Sequence, residues 1–201
     1  MRRPVRIGVT GGLGAGKSTL VRELARLGCV VFSADDVVHE LYASNDELQK
    51  AVRERWGDRV CTADGSINRA AIAEIVFADA NERAWLESIV HPLVAAAWLQ
   101  CVAQADAAAA IVAEVPLLFE AGLEDRYDLT VLVTADEATR MERVRDRNHG
   151  GSHASARIAA QWSDVQRSER AHLVIRNDGS EAALSAAAQQ VLDAAHAITQ
   201  S

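Results

Sequence analysis

The segment Gly11-Gly12-Leu13-Gly14-Ala15-Gly16-Lys17-Ser18 constrains this chain more than any other. It fulfils the spacing G-x-x-x-x-G-K-[ST] and stands between two recognisable elements. Before it lies the apolar run Val5-Arg6-Ile7-Gly8-Val9; after it, Lys17 to Leu27 carries Leu20, Val21, Leu24 and Leu27 on one helical face. A strand, a glycine-rich turn and a helix in that order make a cradle of backbone amides for phosphate oxygens. The helix N-terminus adds a favourable field for the anion. Lys17 can reach the outer phosphates, the Ser18 hydroxyl can ligate Mg²⁺, and Thr19, one residue deeper, can contact the α-phosphate. Gly12, Gly14, Ala15, Gly16, Lys17, Ser18 and Thr19 are therefore expected to bind a nucleoside triphosphate, with Ser18 as metal ligand. A dinucleotide-binding turn fits less well, because it needs no phosphate lysine.

The remaining pattern predicts strands at Val30–Phe32, Ala109–Val115, Leu129–Val133 and Leu173–Ile175. Helical stretches separate them, which indicates a parallel sheet covered on both faces. Ser33 or Asp35 is expected to cap the helix carrying Val37, Val38 and Leu41. Asp46–Trp56 reads as a helix stopped by Gly57, Asp64-Gly65 as a turn, and Asn68–Phe77 as a short helix. Asn81 is expected to cap a long helix reaching Ala105, which Pro92 should kink or split at His91. Further helices are predicted at Asp136–Arg147, Ala154–Arg170 and Ser180–Ile198, the last capped by Ser180.

Charge narrows the choice of partner. The 28 acidic against 21 basic residues give a net charge of -7, so no broad field favours nucleic acid or an anionic membrane. No stretch approaches 18 uninterrupted apolar residues, and the N-terminal apolar run is too short for a signal segment. Three scattered cysteines, Cys29, Cys61 and Cys101, form no framework and fit a reducing cytosol. A small anion in a local pocket is the expected partner.

Several side chains are candidates for the chemistry. Asp35 lies just beyond the second strand, where it can act as a general base or serve as a helix cap. Arg140, Arg143 and Arg147 share a helical face; they clamp phosphates, or else form a solvated face with Glu137, Glu142 and Asp146. Glu114 and Glu120 flank the end of the third strand, where a carboxylate can hold Mg²⁺-bound water. His91, before Pro92, marks a helix boundary or enters a substrate pocket. The tryptophans fit core packing or base stacking. No N-K-x-D guanine-recognition element is present, which disfavours a GTPase.

Read in order, several segments resemble the dephospho-CoA kinase family along almost the whole chain. They are Val9–Thr19, Ala34-Asp35, His39-Glu40-Leu41, Asp64–Arg69, Ile75-Val76-Phe77, His91-Pro92, Val115–Glu120, Arg143, Arg147, Arg157–Gln161 and Asn177–Ser180. The loop is generic; Val115-Pro116-Leu117-Leu118-Phe119-Glu120 together with Arg157-Ile158-Ala159-Ala160-Gln161 makes the likeness specific. The resemblance implies an α/β P-loop NTPase fold, a five-stranded parallel sheet flanked by helices, with a helical acceptor-binding insertion and a lid. Residues 1–35, 106–135 and 171–201 map to the core, 36–105 to the acceptor region and 136–170 to the lid. It further implies transfer of the γ-phosphoryl group of ATP, with Mg²⁺, to the ribose 3′-hydroxyl of dephospho-CoA, giving CoA and ADP. A cytoplasmic enzyme with no obligate protein partner is implied as well. Asp35 matches the family's general base, and Arg143 and Arg147 its lid arginines, acting with Lys17; Arg140 reads as an additional basic neighbour. His39, Arg69, His91 and Glu120 become acceptor-binding candidates. The chain departs from the family's usual residues at Ser33 (commonly Asp), Arg167 (Lys) and His172 (Asp). A kinase for another small metabolite and a nucleotide-dependent switch protein are the competing readings.

Overall fold

The computed structural model describes residues 3–105, 110–146, 162–179 and 181–200. Five strands, β1 (Val5–Gly11), β2 (Val30–Phe32), β3 (Ala110–Glu114), β4 (Leu129–Thr134) and β5 (Leu173–Arg176), form one sheet in the order β2-β3-β1-β4-β5. Every pairing is parallel, with Val9 opposite Glu114 and Gly11 opposite Val133. The three central strands read as near-continuous apolar runs because both of their faces are covered. Ile7, Val9, Ile111, Val112, Val131, Leu132 and Val133 are all fully buried.

Alternation along β1 assigns its side chains to two layers. Val5, Ile7 and Val9 join a core with Leu20 and Leu24 of α1 (Lys17–Arg26) and Leu184, Ala188, Val191 and Ala195 of the terminal helix α8 (Glu181–Gln200). On the opposite side, the absent side chain of Gly8 leaves room for Leu118 and Tyr127.

The chain divides into two units: residues 1–32 with 102–201, which hold the sheet, and residues 33–101. The second unit is helical: α2 (Ala34–Ser44), α3 (Asp46–Trp56), a 3₁₀ turn (Gly57–Val60), α4 (Arg69–Ala78) and most of α5 (Ala80–Gln104). Its core gathers Tyr42, Leu48, Val52, Trp56, Val60, Ile72 and Val90. Trp56 and Trp85 meet edge to face at 4.9 Å, and the Trp56 indole donates to Glu82 at 2.8 Å. Core packing, not base stacking, is thus the role of Trp56. Asn45 and Asn68 cap α3 and α4 through their side-chain oxygens.

Three local expectations need correction. The long helix does not split at His91: α5 runs unbroken through Pro92. Proline removes one intrahelical bond, whereas Leu86, Ile89, Leu93 and Val94 on both sides of it pack against one core. Nor does Asn81 cap α5; the Asp79 carboxylate accepts the Asn81 amide at 2.7 Å. Of the helix predicted over Ala154–Arg170, residues 154–161 lie outside the described residues. The described part is a short α7 (Asp164–Ser168) begun by a Ser163–Gln166 capping box, so the chain is not helical at Ser163. By length and composition α5 is also apolar enough to cross a bilayer.

Candidate active site

The loop between β1 and α1 is built by close approach. Gly16, the α1 N-cap, has φ +101°, and no side chain caps the helix. A Cβ on Gly16 would collide with the Asn177 amide, which donates to the Ala15 carbonyl at 2.8 Å. At Gly14, φ +76°, a Cβ would stand 2.5 Å from the Arg140 carbonyl oxygen. Only glycine meets both the left-handed backbone and the space available. Ala15 is fully buried and donates its amide to the Gly12 carbonyl at 3.2 Å. The uncapped first-turn amides of α1 are the anion-holding groups of such a loop.

Two cations point the same way. Lys17 is 8% exposed, and its Nζ donates to the Gly12 carbonyl at 3.2 Å, folded back along the loop. Arg143, on α6 (Glu137–Asp146), places Nη1 3.9 Å from where a Gly16 Cβ would stand. That Nη1 is buried and has no hydrogen-bond acceptor among the described residues. An unmet buried donor of this kind costs about 1–3 kcal/mol, which an anionic ligand would relieve. Ser18, in the first turn of α1, is exposed, and Thr19 is half-buried.

The start of α6 is pinned to the end of β5. Asp136 accepts from the Thr139 amide and hydroxyl, both at 2.9 Å, and its own amide donates to Asp178 at 2.7 Å. The Asn177 amide donates to the Thr134 carbonyl at 2.7 Å. Arg176 holds the Asp178 carboxyl below the usual range. One tripeptide, Arg176–Asp178, therefore steadies both the loop and the helix that carries Arg143. The sequence offers Asn177 only as part of a family-like segment; nothing in a polar residue after a strand announces that its amide seals a loop carried by residues 11–18.

The other candidates fall as follows. Arg140 is closer to the loop than an additional basic neighbour, since it lies against both Gly12 and Gly14. One helical turn before Arg143, it inherits that helix's approach to the loop. Arg147 lies outside the described residues. Glu120 accepts the Trp162 amide at 2.8 Å through Oε1, while its buried Oε2 has no partner among the described residues. Asp35 occupies the first turn of α2, and the cap is Ser33, whose hydroxyl accepts the Asp36 amide at 3.1 Å. The structure thus closes the alternative in which Asp35 is the N-cap. In the helical unit, His39 Nδ1 and Arg69 are in hydrogen-bond contact and line a cavity of about 350 Å³ with Tyr42, Gln49, Arg53 and Asp64. His91 is exposed on α5 and is not among the residues lining it.

At two of the positions departing from the family pattern, the structure gives the residue a local task. Ser33 is a helix cap, and His172 Nδ1 accepts the Thr130 amide at 3.0 Å.

The model of the dephospho-CoA kinase family matches residues 5–183. A dephospho-CoA kinase of Thermobifida fusca is 38% identical over 93% of this chain and 94% of its own length. One of Mycolicibacterium paratuberculosis is 42% identical over 93% of this chain, which spans about half (46%) of that longer relative. The crystal structure of a Thermus thermophilus protein superposes with a TM-score of 0.81 at 31% identity, covering 96% of this chain and 98% of that one. The parallel sheet, the glycine loop with its buried lysine and the full-length likeness agree: this chain belongs to the dephospho-CoA kinase family.

Proposed function

We propose that this chain transfers the γ-phosphoryl group of ATP to the ribose 3′-hydroxyl of dephospho-CoA, giving CoA and ADP. The observation that carries the reading is the loop itself: Lys17 buried along it and a guanidinium Nη1 of Arg143 buried beside it without an acceptor among the described residues. Both cations stand where charge develops on a transferring phosphoryl group. The acceptor oxygen forms the new P–O bond as the bond from the γ-phosphorus to the bridging oxygen breaks, and ADP leaves with that electron pair.

Asp35 takes the acceptor's hydroxyl proton, or orients it. In support, Ser33 already supplies the cap of α2, so the Asp35 carboxylate is not needed there. Among the described residues there is no cluster of three His, Cys, Asp or Glu that could hold a metal. Mg²⁺ keeps its waters and binds mainly through substrate phosphates, and the exposed Ser18 hydroxyl is the side chain that would hold it here. When bound, the ion neutralises charge on the phosphates. Residues 36–105 are assigned to acceptor binding, with His39 and Arg69 as the side chains that line its cavity, and 136–170 to the lid.

Product identification after incubation with ATP, Mg²⁺ and dephospho-CoA tests the reaction: CoA phosphorylated at the 3′ position is expected, and ATP consumption without it defeats the proposal. For the base, Asp35→Asn should lower kcat by about 100-fold or more while leaving ATP affinity within a few-fold. An unchanged kcat would remove Asp35 from the role.

A further inference from the structure

We propose that Arg140 is a third cation directed at the outer phosphates of the nucleotide, and that Asp164 is the residue that positions its guanidinium over the loop. The inference rests on the reading of Gly11–Ser18 as an ATP site.

Arg140 Nη1 lies 2.6 Å from the position a Cβ would take on Gly12. Gly12 is the residue whose carbonyl receives Lys17 Nζ, so Arg140 stands at the same end of the loop as the lysine. That end serves the β- and γ-phosphates. A side chain at position 12 would displace the guanidinium; glycine leaves it seated.

What keeps it seated is Asp164. Its Oδ2 accepts from Arg140 Nη1 at 3.3 Å, and its Oδ1 accepts from Arg167 Nη2 at 3.0 Å. The Arg167 side chain is 3% exposed, and its Nε and Nη1 have no acceptor among the described residues. Asp164 itself is fixed in the first turn of α7 by the Ser163–Gln166 capping box. One carboxylate thus serves two guanidinium groups, and the trio keeps a net positive charge. At 3.3 Å the Arg140 contact is longer than the roughly 2.7–2.9 Å of a tight charge-assisted bond. Asp164 aims the guanidinium without saturating it, which leaves donors for a phosphate oxygen.

The test is calorimetric titration of the full chain with Mg²⁺ and either ATP or ADP. Arg140→Gln should weaken ATP by about 10-fold or more, the worth of one charge-assisted hydrogen bond, and ADP distinctly less. Arg140→Lys should recover part of the loss. Asp164→Asn should weaken ATP by about 3-fold or more, yet add nothing in the Arg140→Gln background, because both changes remove the same contact. A purely structural role for Asp164 would change ATP and ADP alike and add fully to Arg140→Gln; that result overturns the positioning role. Should Asp164→Asn fail to fold with Arg167 left buried, the two Arg140 variants decide, and unchanged ATP affinity in Arg140→Gln overturns the proposal. Wild-type protein that binds no ATP would defeat the ATP reading as well; wild-type binding with an indifferent Arg140→Gln defeats this inference alone.

Discussion

At the end of the sheet where β1 and β4 begin, Asp128 accepts from Arg3 Nη1 and Nη2 at 2.9 and 2.8 Å, and from Arg6 Nη2 at 2.9 Å, Nε at 3.1 Å and its backbone amide at 3.0 Å. Beside it, His172 and Thr130 exchange backbone and side-chain hydrogen bonds. At the opposite end, where β1 stops, Lys17 folds back onto a carbonyl and Arg143 holds a buried Nη1 with no acceptor among the described residues. The same sheet and the same residue types serve both ends, but one carboxylate there is saturated, whereas one guanidinium here lacks an acceptor among the described residues. A saturated cluster contributes to stability and gains nothing from a ligand. An unsatisfied one costs stability and returns it when an anion arrives.

The comparison is sharpest at the lysine. Lys17→Ala should lower kcat/KM by about 10³-fold, on the order of 4 kcal/mol of transition-state stabilisation, with little loss of thermal stability. Kinetics beside a thermal melt would check it; a large drop in Tm with unchanged kcat/KM would erase the difference between the two ends of the sheet.

Asp128→Asn should do the reverse. It is expected to cost about 2 kcal/mol of unfolding free energy, in the range for hydrogen bonds to a charged group, with ATP affinity unchanged. Burial pushes the Asp128 carboxyl up, but the hydrogen bonds from Arg6 and Arg3 outweigh it and hold it well below the usual range. Its folded value thus lies below its unfolded one, so its stabilisation is complete above about pH 4 and is lost as pH falls through the folded value. Urea titrations should show a steady gap between wild type and variant from pH 7 to 5, narrowing below about 4. A gap that widens on acidification would contradict the assignment.

The smallest effect belongs to His172→Ala, about 1 kcal/mol, because it removes a neutral acceptor from the Thr130 amide. A loss of ATP affinity in that variant, measured by titration, would show that the two ends of the sheet are coupled.

The glycine loop, the five strands and Asp46–Trp56 were legible because each obeys a local rule: turn residues at fixed offsets, apolar runs of strand length, a glycine stop. Arg143 was legible from helical spacing. Arg140 read only as an additional basic neighbour and Asn177 only as part of a family-like segment, since what distinguishes both is a partner far along the chain: Gly12 for one, the Ala15 carbonyl for the other. Of the two expectations at Pro92, the split fails for the opposite reason, since a local breaking rule yielded to apolar contacts on both sides of it. Of the two caps the sequence offered for α2, the structure selects Ser33, whose hydroxyl accepts the Asp36 amide.

By itself, then, the sequence determined that a strand, a phosphate loop and a helix stand in succession, which follows from neighbours and periodicity that short-range sterics and hydrogen bonding impose. Its resemblance to one kinase family along almost the whole chain rests instead on matching segments read in order. Only the tertiary structure decided which cations reach that loop and which are neutralised elsewhere. Arg6 and Arg143 are indistinguishable as residue types. What separates them is whether folding brings a carboxylate to the guanidinium, as Asp128 is brought to Arg6, or leaves a buried donor beside Gly16 without an acceptor among the described residues.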